Sequence, residues 1–306
     1  FQDFTTGSWT VFSKPGRKLL SINIHGYDAH KRAAQPLVAD AKVALEKISA
    51  GLGKHRFADP DFSARSKWFQ TTDALFAAPK GNDLPTDAQV IGAVDRNAGK
   101  QSLIMCAAGT MPGALHVLWR AAQGGYHMEY GYSCMGYEIA GAMGIKMAQP
   151  KRDVICMVGD GSYMMANSEL ATAVMMGIPF TVVLTDNRGY GCINRLQAAT
   201  GGAPFNNLLR DSYHVNEANL DFVAHARSMG ANAVKVAGIA ELEAEMQKAR
   251  TATIPTVIVI DTDPMPGTGA GGHWWEVAVP EVSARTEVNE ARKGYETGRK
   301  AQWLLN

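Results

Sequence analysis

Two short apolar runs, each ending abruptly in a polar, glycine-containing loop, constrain this chain more than any other feature. Val154-Ile155-Cys156-Met157-Val158 leads into Gly159-Asp160-Gly161-Ser162, and Phe180-Thr181-Val182-Val183-Leu184-Thr185 leads into Asp186-Asn187-Arg188-Gly189. Near-continuous apolar strands of this length belong to parallel sheets covered on both faces, whereas a strand with one wet face would alternate. Between them, residues 167–176 carry Leu170, Val174 and Met175 near one face of a helix, and Gly177-Ile178-Pro179 stops it. The expected unit is a strand, a crossover helix and a parallel strand, with both polar loops at carboxyl ends.

Ligands of open parallel sheets bind outside those ends, so Asp160 and Asn187 are expected to converge on one point. One carboxylate and one amide suit magnesium, which takes few protein ligands and completes its octahedron with water and phosphate oxygens. The glycines let backbone N–H groups approach a phosphate closely. Each half alone reads as an ordinary turn after a strand. The pair, with Asn187 lying 27 positions after Asp160, points instead to a divided cradle for a metal ion and a diphosphate.

The rest of the chain supports an α/β reading. Its 306 residues, 46% hydrophobic and 19% charged, can bury a core and leave room for about two domains. With 30 basic and 29 acidic side chains the formal charge is +1, which gives no overall pull toward nucleic acid or an anionic membrane. Cys106, Cys134, Cys156 and Cys192 lack paired metal spacing, and three sit in or beside apolar stretches, so reduced, packed thiols in a cytoplasmic protein are expected. No run of 18 apolar residues and no charged-then-apolar leader occurs.

Four segments are expected. Residues 1–54, with a strand at 18–24 and a helix from Pro36 to Ile48, read as the carboxyl-terminal part of a central α/β domain, and the chain as a carboxyl-terminal piece. Residues 55–85 read as a linker. Residues 86–264 read as a doubly wound parallel-sheet domain: Thr86 and Gln89 form a capping box for a helix to about Asn97, a strand spans 102–107, and a helix spans 136–148. Helices at 217–229 and 239–250 then alternate with strands at 232–236 and 256–261. Residues 265–306, after the glycine- and proline-rich stretch 264–272, read as a mobile tail and possible active-site lid carrying His273-Trp274-Trp275.

The cradle resembles the thiamine diphosphate signature, in which Gly-Asp-Gly is followed at a similar distance by Asn-Asn. Here the first Asn is Asp186, and the second is retained as Asn187. Gly109-Thr110-Met111 at a strand end and Met135-Gly136-Tyr137-Glu138-Ile139-Ala140-Gly141-Ala142 occur in the same order as in acetohydroxyacid synthase-like enzymes. The resemblance implies the diphosphate-binding domain of that superfamily, with thiamine diphosphate and Mg2+ as cofactors and Asp160, Asn187 and the Gly189 carbonyl as metal ligands. It further implies that Gly109, Thr110, Met111, Gly159, Gly161 and Ser162 face the diphosphate, that the Ser133 carbonyl receives the aminopyrimidine, and that Met135 wedges between the two cofactor rings. On residues alone, Met135 reads as an ordinary core methionine, and only its place before Gly136 sets it apart.

Longer strings narrow the resemblance. Tyr126 to Gly136, Asn187 to Gln197, and Trp274 to Ser283 are similar to the trihydroxycyclohexanedione hydrolases of inositol breakdown. That family implies hydrolytic cleavage of a carbon–carbon bond in a cyclic 1,2-dione, giving the open-chain carboxylate-aldehyde 5-deoxyglucuronate. The superfamily's activating glutamate lies on an amino-terminal pyrimidine-binding half, and no counterpart is found here. Glu129, Glu138 and Glu169 read as capping or packing carboxylates. A separate or removed amino-terminal half and a homo-oligomer, dimer or tetramer, are therefore expected, with this chain inactive alone. His273 is the candidate acid or base; His116, His127, His214 and His225 read as packed or solvated. Tyr190, Asn194 and Gln197 are candidate hydroxyl partners for a polyol substrate. The alternatives are a carboligase or decarboxylase of 2-keto acids, and a non-catalytic cofactor-binding half.

Overall fold

The computed structural model describes residues 3–77, 79, 81, 83–129, 131–268 and 274–303. They form two compact units, residues 1–65 with 272–306, and residues 66–271.

The second unit is built on a six-stranded parallel sheet. Number β1 as Leu20–Asn23 and β2 as Gln35–Val38 in the first unit; the sheet then contains β3 Leu103–Cys106, β4 Tyr126–Met128, β5 Val154–Gly159, β6 Thr181–Asp186, β7 Asn232–Val236 and β8 Thr256–Asp261. Their order is β4-β3-β5-β6-β8-β7, all parallel. Alternate side chains of each strand point to opposite faces, and the core divides accordingly. Ile155, Met157, Val183, Ile258 and Ile260 pack with helices Asp87–Asn97, Thr110–Leu118 and Ile239–Ala249. Val154, Cys156, Val158, Val182, Leu184, Val257 and Val259 pack with residues of helices Tyr137–Ala148, Asp160–Met165, Glu169–Met175 and Phe222–Ser228. This explains why β5 and β6 are apolar at consecutive positions. Each such buried side chain contributes about 1.5–3 kcal/mol.

The two strands and the doubly wound architecture expected from the sequence are present. The Thr86–Gln89 capping box forms with both reciprocal bonds. Several boundaries differ for physical reasons. The helix expected over 167–176 forms as Glu169–Met175, and a separate short helix, Asp160–Met165, precedes it directly after β5. The glycine- and proline-bearing stretch after Gly109 begins the helix Thr110–Leu118, where Pro112 is tolerated because first-turn N–H groups lack intrahelical partners. The helix expected over 217–229 starts only at Phe222, where the Asp221 side chain accepts from Ala224 N.

Residues 66–77, read as part of a linker, belong to the sheet unit. Helix Ser63–Leu75 leads into the buried Phe76, and Trp68 Nε1 donates to the Val117 carbonyl at 3.2 Å.

In the first unit, β1 and β2 are parallel, so Gln35 to Val38 form a strand where a helix was expected from Pro36. Its helix, Ala41–Leu52, starts behind Asp40, whose Oδ1 accepts from Val43 N at 3.0 Å. Residues 274–303, expected as a mobile tail, carry helix Thr286–Arg299 and belong to this unit. Trp303 meets Trp9 edge-on at 5.4 Å, and Arg17 lies over the Trp303 ring. His273, on which the lid expectation rests, lies outside the described residues. Among the described residues no helix is long and apolar enough to cross a membrane.

Candidate functional site

The chain leaves β3 toward β4 on one side and leaves β5 toward β6 on the other. That reversal makes the carboxyl ends of β3 and β5 a topological switch point, the position where doubly wound sheets bind ligands. Gly109, from the loop after β3, and Gly159 to Ser162, after β5, flank it, with Asp186 to Gly189 following the next strand over.

Asp160 and Asn187 present oxygens there that the protein leaves unused. Asp160 Oδ2 accepts from Gly189 N at 2.8 Å, whereas Asp160 Oδ1 and Asn187 Oδ1 are buried with no hydrogen-bond partner. Buried acceptors without partners cost free energy and are uncommon, so two at one strand-end site point to an absent electropositive group. Burial, reinforced by the neighbouring Asp186 carboxylate, raises the Asp160 pKa to about 6, with the Gly189 N–H bond leading the opposing causes. A cation would offset both causes. Asp186 is itself raised, mainly by burial, with its bond from Arg188 N opposing.

Among the described residues no three His, Cys, Asp or Glu side chains are arranged to hold a metal ion. The unpartnered oxygens here come instead from one carboxylate and one amide, hard donors of the kind magnesium takes alongside phosphate and water.

The loop that carries Asn187 is held open by its own backbone. Asp186 Oδ1 accepts from Arg188 N at 3.1 Å, which stabilises Arg188 at φ 61°. Leu209 N then donates to the Arg188 carbonyl at 2.9 Å, and Tyr190 N to the Asn207 carbonyl at 2.7 Å. Gly189 sits at φ 148°, and a Cβ there would stand 2.4 Å from the Asn207 carbonyl oxygen. A Cβ on Gly161 would stand 2.6 Å from the Tyr190 ring, so only glycine lets that ring lie over the loop after β5.

Two side chains that the sequence reading did not assign to the site tie its parts together. Glu138, 1% exposed, accepts from Ser162 Oγ at 2.7 and 2.8 Å, from Gly136 N at 2.9 Å and from Ala108 N at 3.4 Å. Burial pushes its pKa up, and the Ser162 hydroxyl leads the bonds that oppose the shift. Arg195 donates to Thr110 Oγ1 and to the Pro264 carbonyl, and its guanidinium lies 4.0 Å from the buried Asp87 carboxylate. The signal for Glu138 was an acid within an otherwise apolar helix. That for Asp87 and Arg195 was weaker, because each falls in an amphipathic pattern where a charge is unexceptional.

The other expected residues are placed as follows. Gly109 caps the helix Thr110–Leu118; Met111 is buried in the core, so only its backbone can reach a ligand. Ser133 is exposed at φ 54°, and Met135 is half-buried beside Gly136, whose N–H also donates to Ser162 Oγ at 2.9 Å. Asn194 Nδ2 contacts Met265 Sδ at 3.3 Å, and Gln197 Oε1 accepts from Asn207 Nδ2, so both candidate substrate amides are engaged within the protein. His127 bonds Tyr137, and His225 bonds the buried Tyr163, while His116 and His214 are exposed. Glu129 accepts from Tyr132 N and Cys134 N, closing the loop that holds Ser133. The four cysteines are free thiols.

A doubly wound parallel sheet with buried, unpartnered carboxylate and amide oxygens at the carboxyl ends of its central strands is the architecture of an α/β ligand-binding domain. Residues 107–260 match the family described as thiamine pyrophosphate enzyme, C-terminal TPP binding domain, and the chain belongs to that family. It is 34% identical to a 3D-(3,5/4)-trihydroxycyclohexane-1,2-dione hydrolase of Bacillus licheniformis over 97% of this chain and 50% of that protein. It is 35% identical to the protein of that name from Geobacillus thermodenitrificans over 95% of this chain and 50% of the relative. The chain thus spans about half the length of these curated relatives. Its fold is similar to that of a thiamine diphosphate-dependent 4-hydroxybenzoylformate decarboxylase from Rhodococcus jostii RHA1, with TM-score 0.65, 22% identity, and coverage of 81% of this chain and 44% of that one.

Proposed function

We propose that this chain supplies the metal- and diphosphate-binding wall of an active site that opens a cyclic 1,2-dione by hydrolytic carbon–carbon cleavage, with trihydroxycyclohexanedione as substrate and 5-deoxyglucuronate as product, in myo-inositol catabolism. The observation that carries the cofactor is the pair of buried, unpartnered oxygens on Asp160 and Asn187 beside the switch point. Support for the substrate comes from the names of the relatives that match nearly the whole chain.

In this reading Asp160, Asn187 and the Gly189 carbonyl hold Mg2+. Gly109, Thr110, Met111, Gly159, Gly161 and Ser162 present backbone to the diphosphate. The Ser133 carbonyl receives the aminopyrimidine, and Met135 holds the cofactor bent. Thiamine diphosphate, when bound, supplies the electron sink for the broken bond, and the protein's part is orientation and electrostatics. His273 is the proposed acid or base toward substrate. An amino-terminal pyrimidine-binding half supplies the activating glutamate, in a homo-oligomer within the cytoplasm; the four free thiols support a reducing compartment.

The test combines this chain with the amino-terminal half of a full-length relative, thiamine diphosphate, Mg2+ and the dione. The expected result is acid-aldehyde formation that requires both halves, with none from this chain alone. Turnover by the isolated chain would contradict the divided site. Carbon dioxide or acetolactate from pyruvate would reassign the substrate to 2-keto acids, and cofactor binding without turnover of either substrate would make the chain a binding module.

A further inference from the structure

The cofactor-facing motifs come from three separate stretches of chain, and one buried carboxylate joins all three. Ala108 N, at the end of the loop after β3, donates to Glu138 Oε1 at 3.4 Å. Gly136 N, adjoining Met135, donates to Glu138 Oε2 at 2.9 Å. The Ser162 hydroxyl, from the helix after β5, reaches both carboxylate oxygens at 2.7 and 2.8 Å. Ser162 Oγ also accepts from Gly136 N at 2.9 Å, which closes a ring of contacts.

This arrangement is poorly suited to direct ligand binding. A carboxylate repels a diphosphate, and its oxygens are occupied by N–H and O–H donors from within the protein. It is also 1% exposed, a costly place for a charge that serves only to cap a helix. Its geometric effect is specific. Gly109, Met135 and Ser162 are each a ligand candidate or the immediate neighbour of a residue that Glu138 grips. With those donors fixed to one point, the spacing between the Gly109 loop, Met135 and the helix after β5 is set before any ligand arrives.

We propose that Glu138 is the positioning residue of this cradle, a buried brace that holds the diphosphate-facing loops and the Met135 segment in register. The proposal rests on the cofactor reading above. It also separates Glu138 from the activating acid, since a brace acts through the backbone it holds and transfers no proton to the cofactor.

Amide hydrogen exchange in the cofactor-free chain tests the brace without any ligand. In Glu138→Gln, which keeps the side-chain size, the Ala108 and Gly136 amides are expected to exchange at least tenfold faster, with β5 and β6 amides unchanged. Mg2+-dependent affinity for thiamine diphosphate is expected to fall tenfold or more, and the pH dependence of kcat, measured with the complementary half, is expected to be that of the parent because Glu138 transfers no proton. Ser162→Ala provides a second variant should Glu138→Gln fail to fold: it leaves the carboxylate in place, and the Gly136 amide alone is expected to exchange faster. Unchanged exchange at both amides in Glu138→Gln overturns the brace, as does unchanged cofactor affinity. So does a pH dependence of kcat that differs from the parent's, which would mark Glu138 as a proton donor or acceptor. Failure of the parent chain to bind thiamine diphosphate would instead overturn the cofactor reading, while the exchange result would still decide the role of Glu138.

Discussion

The two ends of the central sheet are made from the same kinds of residue and do opposite things with them. At the amino end, polar groups find one another. Ser102 Oγ donates to Asp153 Oδ2 at 2.6 Å and accepts from Gly99 N at 2.7 Å. The Arg152 guanidinium donates to the Gln101 carbonyl, the Gln123 carbonyl and Gln149 Oε1, latching three loops. At the carboxyl end, Asp160 Oδ1 and Asn187 Oδ1 are buried and bond nothing. A turn whose polar atoms are satisfied internally contributes to stability; one whose acceptors are left unsatisfied keeps that capacity for a ligand, at a cost to the free protein.

This contrast can be broken or sharpened by substitution. The largest effect is expected from Asn187→Ala, which removes an unpartnered acceptor. Mg2+-dependent thiamine diphosphate binding, followed calorimetrically, should weaken about a hundredfold, or ~3 kcal/mol, with little change in Tm. Next is the buried Asp87 beside Arg195, whose pKa burial raises from 3.8 to about 6, Arg195 opposing and Asp263 reinforcing the shift. Because the folded value is raised, the native state keeps this proton where the unfolded chain releases it. Its contribution to stability is therefore full below pH 3.8 and is lost as pH rises through about 6. Compared with Asp87→Asn, the parent should lose up to about 3 kcal/mol between pH 4 and 7 in denaturant titrations. An equal pH dependence in both proteins would place that charge among harmless ones.

Smaller effects follow. Gly189→Ala places a Cβ 2.4 Å from the Asn207 carbonyl oxygen and should cost about 2 kcal/mol while displacing the metal loop. At the opposite end, Arg152→Ala should cost about 1–2 kcal/mol of stability through its lost bonds and leave cofactor affinity unchanged. A matching loss of affinity would show that the two ends are not independent.

Much of this was legible in the residues. Val154 to Val158 and Phe180 to Thr185 announce doubly covered strands because parallel sheets leave no wet face, and the loops after them announce the cradle. The Thr86–Gln89 box was legible because its bonds are local. Strand order was not, since no local signal places β3 between β4 and β5. The segment Gln35–Val38 misled because Leu37, Val38 and Ala41 fit a helical stripe as well as a strand followed by a capped helix. The helix Thr110–Leu118 was hidden by Pro112 and Gly113, which punctuate loops elsewhere. Glu138 was visible as an anomalous acid, yet two of its three partners, Ala108 and Ser162, lie 30 and 24 residues away, distances that only the folded chain closes.

Asp160 is the residue on which the cradle depends most directly. Its Oδ2 bond from Gly189 N can be kept by an asparagine oxygen, while the buried charge at Oδ1 cannot. The decisive measurement is Mg2+-dependent thiamine diphosphate binding by the parent chain and Asp160→Asn, with Tm of both cofactor-free proteins at pH 8. The expected result is metal-dependent binding by the parent, its loss in the variant, and a variant Tm equal to or above the parent's. Equal binding by both proteins, or binding that ignores magnesium, would contradict the claim that this strand end is built as a metal–diphosphate cradle.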